Sequence, residues 1–400
     1  MIYLDHAATT PLHPEARRAM EPFLAGEYGN PSSLHAAGQE AHRALDAARD
    51  GIAAALGARA EEVIFTSGGT EANNLALTGV FLAERPRRPH LVTVATEHHA
   101  ILDTCCFLET LGAEITLLPV DSDGFVDPDD LRRALTPRTA LVSVMHANNE
   151  IGTVAPLAEI SAITRAAGVP LHTDAVQTVG SLPLRLADNG PDLISLSAHK
   201  FYGPKGVGAL IARRGVRLRP LLHGGGQERG RRAGTENVAG LVGMARALEL
   251  ALADREGEAT RQAALRDRLI RGVLAAVPGA MLNGHPTRRL PNNVNLAIAG
   301  VEAEMLLLNL DLAGICASAG SACTAGSLEP SHVVMALGRS PELVSGSLRL
   351  SLGRSTTAEE IDVVIEQLAG IVHRLRRRAG GSASADAPSP VARPPSPVSK

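Results

Sequence analysis

Asp192-Leu193-Ile194-Ser195-Leu196, then Ser197-Ala198-His199-Lys200, then Phe201-Tyr202-Gly203-Pro204 is the stretch on which the reading of this chain turns. The first five residues form a short apolar strand and the last four a turn, so Lys200 stands at a strand end beside a Ser and a His. A lysine so placed suits a buried amine held as an aldehyde adduct, because desolvation lowers its pKa and makes it a usable nucleophile or proton carrier. The simpler alternative is a surface lysine in a turn. Cation usage argues against it: of 39 Lys+Arg, only Lys200, Lys205 and Lys400 are lysines. Where arginine is the default cation, a retained lysine points to a need for a primary amine.

Outward from this strand the pattern repeats. Val63-Ile64-Phe65-Thr66 reads as a strand and 71–81 as a helix; Leu91-Val92-Thr93-Val94 reads as a strand and 101–111 as a helix. Short β-rich runs at 115–118, 141–144, 169–173, 193–196 and 207–211 complete a series of seven. Apolar strands separated by helices predict an α/β fold, a mostly parallel seven-stranded sheet covered on both faces. Ligands of such sheets gather at the carboxyl ends of the strands, where the chemically suggestive residues fall. A helix over 237–252 runs into the charged Asp254-Arg255-Glu256-Gly257-Glu258, the expected boundary. Beyond it, helices at 261–276, 303–310 and 359–377 mix with short strands at 294–296 and 347–351, a smaller α/β domain. The expected division is an N-terminal segment 1–13 packing with the small domain, a large domain 14–253, a small domain 254–378 and a disordered Gly/Ser/Ala/Pro-rich tail 379–400.

Four hundred residues with 45% hydrophobic content can fill two cores, built from aliphatic residues because aromatics are 2% and Trp is absent. A net charge of −3 gives no electrostatic case for nucleic acid or an anionic membrane as partner. No apolar run reaches the roughly 18 residues of a spanning helix, and Met1-Ile2-Tyr3-Leu4-Asp5-His6 lacks a secretory pattern, so a cytoplasmic location is expected. Cys105, Cys106, Cys316 and Cys323 show no zinc-ligand spacing and read as reduced thiols, the first three packed as small apolar residues.

Four elements at strand ends carry the chemistry. Ser67-Gly68-Gly69-Thr70-Glu71 lies between a strand and a helix, where glycines admit an anion to free amides, and Thr70 adds a hydroxyl; a helix cap at Thr70 is the alternative. Asp174, in His172-Thr173-Asp174-Ala175-Val176-Gln177, could keep a pyridinium nitrogen protonated, with Gln177 near a ring hydroxyl; alone, it would be a helix cap. His98, in Thr96-Glu97-His98-His99, could stack on a planar cofactor and shuttle protons, while a metal-binding His pair lacks a third ligand. Asn148 and Asn149 are polar groups at the same edge. Phosphate cradle, stacking His, ring-nitrogen Asp and amine-bearing Lys, in that chain order, together describe a pyridoxal phosphate site.

The chain here resembles the NifS/IscS-type cysteine desulfurases, within the class V aminotransferase family of fold-type I pyridoxal phosphate enzymes. The resemblance runs from Tyr3-Leu4-Asp5-His6-Ala7-Ala8-Thr9-Thr10-Pro11 to about Leu375. It includes Gly29-Asn30-Pro31-Ser32-Ser33, Asn148-Asn149-Glu150-Ile151-Gly152, His199-Lys200-Phe201-Tyr202-Gly203-Pro204, Arg232-Ala233-Gly234-Thr235-Glu236-Asn237 and Ser318-Ala319-Gly320-Ser321-Ala322-Cys323-Thr324. It implies that Lys200 carries the cofactor, Asp174 contacts its ring nitrogen and His98 stacks and transfers protons. Gly69, Thr70, Ser197, Ala198 and His199 would surround the phosphate, and Asn149 and Gln177 would contact the ring. Thr235 would reach the cofactor phosphate of the other subunit of a homodimer, and Arg349 with Asn30 would bind the substrate carboxylate.

Cys323 separates this family from ordinary aminotransferases. Its Gly/Ser/Ala surround keeps a loop mobile, and the chemistry the resemblance implies needs a thiol that enters the site, takes sulfur from L-cysteine and hands on a persulfide. Ala319 stands where a second Ser is common. The resemblance favours an iron–sulfur scaffold protein as sulfur acceptor, with a tRNA-thiolation enzyme as the alternative. It also implies a transient [2Fe–2S] cluster, shared with the scaffold, for which Cys323 would be the ligand. A transaminase or selenocysteine lyase of the same class, and a sulfur-relay protein without catalysis, are the rival readings.

Overall fold

The computed structural model describes residues 1–186, 190–319 and 330–382, with side chains as far as residue 378. In chain order the elements are β1 (Ile2–Tyr3), α1 (Pro14–Ala25), α2 (Ala36–Ala55), β2 (Val63–Thr66), α3 (Gly69–Glu84), β3 (His90–Val94), α4 (His99–Glu109), β4 (Glu114–Leu118), α5 (Pro128–Ala134), β5 (Thr139–Ser143), α6 (Leu157–Ala166), β6 (Leu171–Asp174), β7 (Leu193–Ser197) and β8 (Gly208–Ala212). There follow α7 (Val238–Ala253), α8 (Arg255–Ala276), β9 (Ala280–Leu282), β10 (Asn293–Ile298), α9 (Ala303–Leu312), β11 (Ile315–Cys316), α10 (His332–Ala336), α11 (Pro341–Ser345), β12 (Ser347–Ser351) and α12 (Ala358–Ser382).

The seven-stranded sheet has the order β2-β8-β7-β6-β5-β3-β4. Only β8 is reversed, pairing antiparallel with β7 and β2. Six of the seven apolar runs read in the sequence are strands buried on both faces, and the edge strand β4 leaves Glu114 and Leu117 exposed. In β7, Ile194 and Leu196 pack on one side with Phe65 and with Leu241, Met244 and Leu248 of α7. Leu193 faces the other way, into a cluster with Leu75, Val80 and Phe81 of α3 and Ile101 of α4. A period of two over a sheet with helices on both sides demands that every strand position be apolar or internally bonded. His172 obeys the rule: it is fully buried, and its ring nitrogens lie 2.9 Å from the hydroxyls of Ser143 and Ser195 on the flanking strands.

The second sheet is β12-β10-β9, antiparallel throughout. Leu269 and Val273 of α8, Leu306 and Leu310 of α9, and Ile361 and Leu368 of α12 cover it. Leu4 belongs to that same apolar cluster, and β1 pairs in parallel with β11. A few residues later the N-terminal segment crosses to the larger sheet, where Thr10 N and Oγ1 both donate to the carbonyl of His199. The charged run at 254–258 is not an open linker: Asp254 alone separates α7 from α8, which starts at Arg255. At the other end α12 continues to Ser382, so residues 379–382 of the expected tail are helical. Residues 383–400 lie outside the described residues.

Two expectations about cysteines need correction. Cys105 is buried, but Cys106 is exposed on α4 and Cys316 only half-buried, so just one of the three packs as an interior residue. Burial pushes the Cys105 thiol up to about 12, which makes it inert. No helix among the described residues is long and apolar enough to cross a membrane.

Candidate active site

The carboxyl ends of β3, β6 and β7 bring three of the expected residues into one region. Lys200 closes a single 3₁₀ turn (Ala198–Lys200) at the end of β7, and its Nζ donates to the carbonyls of Ala7 and Ala8, the latter at 2.8 Å. Gln177 Nε2 donates to the Ala7 carbonyl as well, at 2.9 Å. His199 turns its Nδ1 to the Thr9 hydroxyl at 3.1 Å; burial, then the charges of Lys200 and Lys205, pull this imidazole down to about 4, so it is neutral near neutral pH. Three consecutive residues of the N-terminal segment, Ala7, Ala8 and Thr9, thus bond Lys200 and its neighbours Gln177 and His199.

Asp174, the last residue of β6, is 4% exposed. One carboxylate oxygen accepts from Val176 N at 2.9 Å, the local turn a strand-end Asp makes, and the other accepts from Asn73 Nδ2 at 2.7 Å. Asn73 sits on the buried side of α3, and its Oδ1 has no partner among the described residues. His98 caps α4: its Nδ1 accepts from Ala100 N at 3.0 Å, which assigns the proton of the neutral ring to Nε2. Burial pulls His98 below its usual value and Lys200 adds to that, while the Asp174 carboxylate opposes it. All three residues therefore lie within electrostatic reach of one another.

The Gly68–Gly69 turn is shaped for close approach. Gly68 has φ +158 and starts α3 with no side chain capping the first amides, so Thr70 is not the cap. A Cβ on Gly69 would come within 2.7 Å of Val176 Cγ2 and 3.5 Å of Ser197 Cβ. The Glu71 carboxylate is occupied by Arg232, which bonds both its oxygens, and by Ser67 N at the start of the turn. Uncapped helix amides, glycine backbone, the Thr70 and Ser197 hydroxyls, a strand-end carboxylate and an amine form a donor set that fits pyridoxal phosphate.

Arg349 reaches the region from the other sheet. It lies inside β12, 3% exposed, with Nη1 donating to the Asn149 carbonyl and Nη2 to Asp5 Oδ1, both at 3.0 Å. Its Nε has no partner among the described residues. Asn30 and Thr235 are both exposed; Asn30 Oδ1 accepts from Ser32 N in its own turn, and neither residue bonds another expected site residue among those described. Cys323 lies outside the described residues. Among the described residues no group of three or more His, Cys, Asp or Glu is placed to hold a metal ion.

Reading the sequence missed Asp5, Asn73 and Glu97. Asn73 could have been found as a polar residue three positions after Thr70 on an otherwise apolar helix face. Glu97 is 1% exposed, accepts from Met145 N at 2.6 Å, and is held well above the carboxylate range, chiefly by burial. It anchors the turn that carries His98. Asp5 had no local signal, its partner being 344 residues away.

A family model described as aminotransferase class-V matches residues 2–364. The chain is 53% identical over 375 residues to a protein named cysteine desulfurase IscS from Dictyoglomus turgidum, covering 94% of this chain and 95% of that one. It is 51% identical to a protein of the same name from Methanosarcina thermophila, with 94% and 93% covered. A solved structure titled NifS-like protein superposes with a TM-score of 0.88 at 36% identity, covering 93% of this chain and 99% of that chain.

Proposed function

The chain belongs to the class-V aminotransferase family, and from that premise we propose how it works as a cysteine desulfurase, removing sulfur from L-cysteine and leaving L-alanine. The observation that carries the reading is the juxtaposition of the Lys200 amine, the Asp174 carboxylate and the His98 imidazole at one sheet edge, in a chain half identical to proteins of that name.

Lys200 would hold pyridoxal phosphate, with Gly69, Thr70, Ser197, Ala198 and His199 around its phosphate and Asn149 and Gln177 around its ring. Once bound, the cofactor supplies an electron sink for the substrate α-carbon. Asp174, steadied by Asn73 and Val176 N, would keep the ring nitrogen protonated. The Lys200 amine would take the α-proton, with the Ala7 and Ala8 carbonyls fixing the position of its Nζ. Arg349, with Asn30, binds the substrate carboxylate. The Cys323 thiolate forms a bond to the substrate sulfur as the carbon–sulfur bond breaks, the electron pair staying with the carbon. That β-carbon gains one proton and the α-carbon regains the one it gave up, which completes alanine, and Cys323 keeps the sulfur as a persulfide. His98 Nε2 is the proton donor or acceptor for sulfur.

Residues 14–253 form the cofactor-binding domain, and 254–378, joined by 1–13, the domain that brings Cys323. The enzyme acts as a cytoplasmic homodimer in which Thr235 reaches the partner's cofactor phosphate. The persulfide passes to an iron–sulfur scaffold protein, with Cys323 as ligand of a transient [2Fe–2S] cluster; the tail that follows α12 is a spacer. Incubation with L-cysteine should give alanine and one persulfide per chain, and Cys323→Ser should keep the cofactor yet form no persulfide. Normal sulfide release by that variant, or transamination of an amino-acid/keto-acid pair instead, would overturn the assignment. Capture by the persulfidated enzyme of a tRNA-thiolation enzyme and no scaffold would redirect the acceptor.

A further inference from the structure

The guanidinium proposed to bind substrate already holds a carboxylate. Arg349 Nη2 donates to Asp5 Oδ1 at 3.0 Å, with the arginine side chain 3% exposed and that of Asp5 20%. Nη1 is spent on the Asn149 carbonyl, and Nε has no partner among the described residues. Nε and one Nη share an edge of a guanidinium, so an arriving carboxylate can find an open prong there, but beside a resident negative charge.

Asp5 cannot easily move aside. It follows Leu4, which is fully buried under the three-stranded sheet. Leu4 N donates to the Cys316 carbonyl, Ser351 N donates to the Leu4 carbonyl, and Ala7 N donates to Ser351 Oγ. The segment running on from Asp5 is the one whose carbonyls receive Lys200 and Gln177. The carboxylate is therefore a fixed part of the site, fastened on both sides.

We propose that Asp5 is a specificity-setting residue, the built-in counter-ion of Arg349, which raises the affinity an anion must have to enter and speeds departure of the product carboxylate. A bare arginine in a water-poor site would hold any small carboxylate or inorganic anion. With Asp5 beside it, the pair is neutral, and charge alone gains a ligand little. An α-amino acid that also engages the lysine-bound cofactor can still bind; an anion with a carboxylate alone cannot compete. This inference rests on Arg349 as the carboxylate site in the proposed function.

Asp5→Asn in the holoenzyme keeps the shape and one acceptor oxygen while removing the charge. We expect a KM for cysteine lower by about three- to tenfold and inhibition by alanine tighter by a similar factor, with kcat unchanged or reduced. Acetate and sulfate should inhibit the parent enzyme poorly and the variant competitively. A merely structural role for Asp5 cannot produce tighter binding, so a raised KM with unchanged anion inhibition would overturn the proposal. Asp5→Ala is the second variant: inhibition by acetate should tighten there too, and loss of it despite an intact cofactor spectrum counts against the counter-ion role. If the parent enzyme itself failed to turn over cysteine, the functional reading would fall first, and dissociation constants for acetate and sulfate, titrated by calorimetry on the parent and the Asp5→Asn variant, would still decide the role of Asp5.

Discussion

At the edge of the seven-stranded sheet, Lys200, Asp174 and His98 stand at or just past strand ends, while Arg349 stands inside a strand of the three-stranded sheet. The difference lies in what fixes each side chain. Lys200 and His98 are placed by short turns and bonded to backbone groups, Ala7 and Ala8 carbonyls for one and Ala100 N for the other. Arg349 is placed by β-register, opposite Asn295 of β10, and neutralised by the carboxylate of Asp5. Turns at strand ends can present groups that must reach reacting atoms; a strand interior suits a rigid charge that only holds. Residues 5–10 bond to both, so the two sheets share one clamp.

Under the proposed function, that contrast assigns chemistry to the larger-sheet residues and binding to Arg349. Lys200→Ala should cut kcat by about a thousandfold or more and remove the visible absorbance of the cofactor, read by stopped assay and spectrum. Asp174→Asn should lower kcat by about a hundredfold, with cysteine KM little changed. Arg349→Lys should act the other way, raising KM by about tenfold or more, since an ammonium cannot reproduce the fork, with kcat altered less. A Lys200 or Asp174 variant that changed KM alone would erase the distinction.

Smaller effects test the scaffolds. A Cβ at Gly353 would lie 2.1 Å from the His6 ring, so Gly353→Ala should cost about 1–3 kcal/mol in denaturant unfolding, felt at the three-stranded sheet. The larger sheet should be the more acid-sensitive. Burial pulls His172 to about 3 and His146 to about 4, below the 6.5 of an unburied imidazole. The unfolded chain then binds more protons, so stability falls as pH drops from about 6.5 toward about 4, by on the order of 1 kcal/mol per pH unit for each histidine. His172→Asn should flatten that slope in thermal melts taken across this range.

The sequence made the larger sheet legible because strands buried on both faces leave a strong apolar signal, and all seven expected strands are present. Their ends were less clear: β5 spans Thr139–Ser143 rather than 141–144, since Thr139 is buried by bonds to His90 and Thr136 that no pattern announces. Helices α1 and α2 passed unread because His13 and His35 cap them in place of Ser, Thr, Asp or Asn, and alanine blurs the face of α2. Lys200, Asp174 and His98 could be named from residue type at strand ends. Asp5 and Asn73 could not, because their roles exist only through partners brought near by folding.

The central claim is that the amine at the end of β7 carries the cofactor. Borohydride reduction of the resting holoenzyme, followed by peptide mapping, should place one pyridoxyl label on Lys200. A label on Lys205, or none on a yellow enzyme that turns over cysteine, would contradict it.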